Sequence, residues 1–154
     1  MIKQLKLLLL SMIVWLPHAL AADNAIKMAY NFTTVSQNVV FNSTMQSGGT
    51  LQLSAQIADG GGRNPGDPVT LKLVFYNSSN AVVATVQQAY TLTLGAAAAT
   101  YSVTATNCGG SCANVAYVSV QFYGKDGGYW AGNYGPMITS PSLTFNGGSN
   151  ILYN

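Results

Sequence analysis

The run Gly124-Lys-Asp-Gly-Gly-Tyr-Trp-Ala-Gly-Asn-Tyr-Gly-Pro136 gathers Tyr129, Trp130 and Tyr134 with Asp126 and Asn133 on a glycine-rich stretch. Pyranose rings present apolar C–H faces that stack on aromatic planes, and phenol O–H and indole N–H groups bond hydroxyls. In that chemistry Tyr129 and Trp130 stack, Asn133 and Asp126 bond hydroxyls, and Tyr134 walls the site. Each residue also has a plainer reading. Trp is usually highly buried, so Trp130 would instead plug the core. Asp is common beside glycine for backbone reasons, and Asp126 would then accept loop N–H groups and fix the turn.

The residues that are missing narrow the chemistry. The single histidine, His18, lies near the N-terminus, and the four acidic residues are Asp23, Asp59, Asp67 and Asp126, with no Glu. General acid–base and Ser–His nucleophilic systems lose their usual players, and two cysteines alone do not close a zinc site. A paired-Asp glycosidase would need two facing carboxylates, whereas Asp59, Asp67 and Asp126 all lie in or beside glycine-rich turns. The expectation is a chain that is not an enzyme. Asp59 and Asp67 bracket an oxygen-rich loop and are the carboxylates a Ca²⁺ ion would use; the spacing does not fit an EF-hand, and an ordinary turn is the simpler reading. No other cofactor is expected.

The first residues carry Lys3 and Lys6, an apolar run from Leu7 to Leu16, and Ala19-Leu20-Ala21, the pattern of a cleaved secretory signal over residues 1–21. Secretion or cell-surface display is expected, with no membrane span once the signal has left. Without Lys3 and Lys6, the cations Lys27, Arg63, Lys72 and Lys125 balance the four Asp residues. No basic footprint for nucleic acid is left. Cys108 and Cys112, in an exported chain, are expected to form one disulfide that pins a tight loop.

Alternation of apolar and polar residues dominates the rest. Val69–Tyr76 and Ala81–Gln87 flank Asn77-Ser-Ser-Asn80 as a hairpin. Further strands are expected over Val39–Asn42, Thr50–Ile57, Ala89–Leu94, Thr100–Thr106, Val115–Tyr123 and Met137–Phe145, with Gly- and Pro-rich breakers between them. Ala96–Ala99 is too short to sustain a helix alone. Short strands without helical periodicity predict an all-β, two-sheet antiparallel sandwich of jelly-roll type over residues 22–146. Residues 147–154 are read as a linker or the start of a following segment.

The Gly124–Pro136 run, followed by Ser142-Leu-Thr-Phe145, resembles the closing strands of galactose-binding-like jelly rolls, especially the F-box-associated sugar-binding domain. There a Gly-x-Asp-x-x-aromatic-Trp-x-Gly-x-x-Gly run precedes the last strand. The resemblance implies that Tyr129 and Trp130 lie near glycan-contacting loops. The chain departs from the family in being exported and in carrying Ala131 where the family tends to be basic. The function expected is an exported, non-catalytic carbohydrate-binding or adhesion module for a neutral glycan or polysaccharide. The alternative is a self-associating subunit of an extracellular fibre or surface layer, because few charges favour association.

Overall fold

In β4 (Pro68–Tyr76) the odd positions Val69, Leu71, Leu73 and Phe75 are buried while Thr70, Lys72 and Tyr76 face outward, the period of two that a half-buried strand imposes. The computed structural model describes residues 26–28, 32–61, 66–128 and 135–152. The other described elements are β1 (Ile26–Lys27), β2 (Thr33–Val40), α1 (Ser43–Gln46), β3 (Thr50–Ala58), β5 (Val82–Thr91), β6 (Ala99–Thr106), β7 (Tyr117–Gly124) and β8 (Met137–Phe145). They form two four-stranded antiparallel sheets, ordered β1-β8-β3-β6 and β2-β7-β4-β5. Interleaving early and late strands in this way is the double Greek key of a jelly roll, so the expected fold class stands.

The core fills the space between the sheets, where Phe75 meets Phe41 edge-to-face at 6.1 Å among Leu51, Leu53, Leu73 and Val118. Burial along one face of β3, β4, β7 and β8 is what holds the sheets together.

Three local expectations are corrected. No separate Ala89–Leu94 strand forms: Ala89–Thr91 end β5, which runs unbroken because its pairing with β4 continues through Gln88, and Leu92–Leu94 lie beyond it. The first long strand begins at Thr33 rather than Val39. Asn42 is no strand residue but the cap of α1, its Oδ1 accepting the Met45 N–H at 2.9 Å. Residues 147–152, expected as linker, fold back on the domain: Ile151 N–H donates to the Leu143 carbonyl at 2.8 Å, and Leu152 is buried in the core. The signal expected over residues 1–21 lies outside the described residues.

Cys108 and Cys112 are bridged and buried just after β6. The strand ends fix which features share an end of the sandwich. Thr50 pairs with Thr106, and the Asn77 turn and the disulfide lie at that end. Ala58 pairs with Met137 and Thr33 with Gly124, so Asp59, Asp67 and the feet of the 129–134 segment lie at the opposite end.

Candidate ligand-binding site

Tyr129, Trp130, Asn133 and Tyr134 lie outside the described residues. The frame that carries them is described on both sides. On the incoming side, Lys125 N–H donates to the Pro68 carbonyl at 3.3 Å, Gly127 N–H to Asp67 Oδ1 at 2.8 Å and Gly128 N–H to Asp126 Oδ1 at 2.8 Å. On the outgoing side, Gly135 N–H donates to the Met28 carbonyl at 3.0 Å, and Met28 N–H to the Pro136 carbonyl at 3.1 Å. The two sides also pack directly. A Cβ at Gly135 would lie 2.6 Å from the Met28 carbonyl oxygen and 2.9 Å from the Asp126 nitrogen; one at Gly124 would lie 2.7 Å from Met28 Sδ. Glycine at 124 and 135 is therefore required by close approach. The described residues that flank the segment thus form a narrow, pinned neck.

Asp126 belongs to that frame. It is 1% exposed and engaged on the loop's own backbone, so it is placed to hold the loop rather than to meet a sugar hydroxyl in solvent. Asp59 and Asp67 are buried beside it. Asp59 Oδ2 accepts the Gly95 N–H at 2.7 Å, and Asp67 Oδ1 takes the Gly127 N–H. Asp59 Oδ1 and Asp67 Oδ2 have no hydrogen-bond partner among the described residues. Burial pushes the Asp67 carboxyl from its ordinary 3.8 up to about 6; the Gly127 N–H works against this, and the neighbouring Asp59 carboxyl adds to it. Among the described residues no group of three or more His, Cys, Asp or Glu is arranged to hold a metal ion.

The described residues add a feature that sequence reasoning missed. Phe32 and Tyr123 stack at 4.6 Å with their planes 1° apart on the outer face of the second sheet, immediately beside the neck. Lys125 Nζ lies 4.9 Å from the Phe32 ring centre, and Lys72 Nζ lies 6.0 Å from that of Tyr123. Phe32 is 52% exposed, an unusual position for a large apolar ring. The signal for Tyr123 was present in the alternation of β7, where Val118, Val120 and Phe122 face inward and the odd positions face out. Nothing in the order of residues showed that Phe32 would lie opposite. An apolar crevice of ≈ 10 Å³ lined by Val35, Val120, Phe122, Pro141 and Leu152 is no larger than a water molecule needs.

No protein-family model and no curated protein matches the chain. The galactose-binding-like resemblance is therefore held at the level of a jelly-roll-like sandwich. Among solved structures the chain is similar to the enzymatically active domain of tailspike protein 4 of bacteriophage CBA120, with a TM-score of 0.52 and 11% identity. The match covers 79% of this chain but only 15% of that one. The likeness is one of fold.

That finding overturns the expectation that the chain is not an enzyme. The sandwich recurs within a domain known to be enzymatically active, so an inventory of residue types does not exclude catalysis. The inventory preferred an ordinary turn for the loop that Asp59 and Asp67 bracket; the fold buries both carboxyl groups, near enough for Asp59 to raise the Asp67 pKa. The expected disulfide is present. No helix among the described residues is long and apolar enough to cross a membrane.

Proposed function

We propose that the chain is an exported, glycan-interacting β-sandwich module that presents the aromatic segment 129–134 to polysaccharide. The observation that carries this reading is the pinned neck. Backbone hydrogen bonds and two buried carboxyl groups fix both feet of a segment containing three aromatic rings. Rigid feet lower the entropy lost when a loop closes on a ligand, and aromatic rings supply contact area at little rotamer cost. The similarity to part of a tailspike domain and the secretory pattern of residues 1–21 agree with an extracellular role.

The test is affinity electrophoresis of the processed domain through gels cast with a panel of polysaccharides, with released reducing ends assayed in parallel. Trp130→Ala is expected to weaken retention by about tenfold, the loss of roughly 1.4 kcal/mol from one stacking contact, with the thermal transition preserved. Undiminished retention of that variant would contradict the reading, and loss of the thermal transition would mark Trp130 as core.

A second reading, a self-associating surface subunit, rests on β5. This ten-residue edge strand carries no charged residue and exposes Val82 by 58% and Val83 by 41%. Among the described residues no strand pairs with its free edge. Long uncharged edges are templates for pairing with another copy.

A further inference from the structure

We infer that the Phe32–Tyr123 ring pair, with Lys125 and Lys72 beside it, is a docking station for an anionic polysaccharide, one whose sugars carry carboxylate groups. This deepens the glycan reading above and rests on it. Three observations converge. An exposed, stacked ring pair offers an apolar ledge beside the neck of the aromatic segment, and such a ledge matches the C–H face of a sugar ring. An ammonium group flanks each ring, held near it by the ring's negative face, so the cations are already placed before a ligand arrives. The described charges are also segregated: Asp59, Asp67 and Asp126 are all buried, whereas Lys72 and Lys125 are partly exposed and Lys27 is exposed. A composition that sums to near-neutrality thus conceals a cationic described surface. A ligand that complements both ledge and cations is apolar on one face and negative at its margins. Acidic polysaccharide has that character, which a neutral glycan lacks.

The same face provides its own control. Tyr76 and Tyr117 stack at 4.9 Å at the far end of β4 and β7, but among the described residues no lysine lies against their rings. If stacking alone mattered, the two pairs would behave alike.

Calorimetric titration of the processed domain would compare a polyuronate, the same polymer after carboxyl reduction, and single-stranded DNA. The polyuronate is expected to bind more tightly than its reduced form, with an advantage that shrinks as salt is added. Lys125→Gln and Lys72→Gln should each weaken polyuronate binding by about two- to fivefold. Phe32→Ala should weaken it by about fivefold, and Tyr76→Ala should leave it unchanged. Circular dichroism confirms the fold of each variant, and the exposure of Phe32 makes unfolding at that site unexpected. Equal binding of the polyuronate and its reduced form would overturn the anionic station while leaving the glycan reading intact. Failure of both polymers to bind would overturn both. Single-stranded DNA binding as tightly as polyuronate would reduce the station to undirected positive charge and overturn it.

Discussion

Asp67 shows how little a residue's type reveals about its work. In the sequence it stands beside glycine and proline as an ordinary turn former. In the fold it anchors Gly127, the first foot of the aromatic segment, and is buried near the Asp59 carboxyl. Such proximity of carboxyl groups cannot be read from residues eight apart across a glycine loop, because burial, not spacing, forces them together. Burial, and then Asp59, hold the Asp67 pKa at about 6, above its ordinary 3.8. The folded state therefore binds this proton more tightly than the unfolded chain does. Its stabilising contribution is full below about pH 4 and is lost as pH rises through about 6. The melting temperature is expected to fall over that window in calorimetry. Asp67→Asn keeps an acceptor for Gly127 and gives Asp59 an N–H donor, so this variant should fold with the fall largely flattened. An equally steep fall in the variant would place the titration elsewhere.

Elements were more legible than residues wherever a strand had one wet face. The expected bounds of β8 match those observed, and those of β3, β4 and β6 agree to within a residue, because alternation reports burial directly. β2 was truncated because Val35 is the only apolar residue in Thr33–Asn38, which leaves no alternation to read in this edge strand. α1 was invisible for a different reason: four residues carry no periodicity, and only the Asn42 cap marks them. β5 was expected as two strands, Ala81–Gln87 and Ala89–Leu94, whereas its pairing with β4 continues through Gln88 to Thr91. Its free edge makes a prediction of its own. In sedimentation at rising concentration the processed domain should show reversible dimerisation. Thr85→Lys combined with Gln87→Lys should weaken it by about tenfold, since lysines blunt an open edge. A domain that stays monomeric throughout would remove the self-association reading.

At the scale of the molecule, the two ends of the sandwich differ in kind. One end is closed by the disulfide, α1 and the Asn77 turn; the other gathers three buried carboxyl groups, a pinned neck and the Phe32–Tyr123 ledge. The sequence marked the aromatic segment as the place to look, but could not show that Phe32 would join it from a distant part of the chain. Nor could it show that the acids would turn inward and leave lysines outside. The central claim is that the segment on this neck contacts polysaccharide. In a protein prepared without residues 1–21, Trp15 is absent and Trp130 is the sole indole, so its fluorescence reports on the segment alone. The most direct measurement is acrylamide quenching of Trp130 during titration with polysaccharide. Accessible emission that becomes shielded as polysaccharide is added is the predicted result. A blue, unquenchable emission that ignores every polysaccharide would contradict the claim and make Trp130 part of the core.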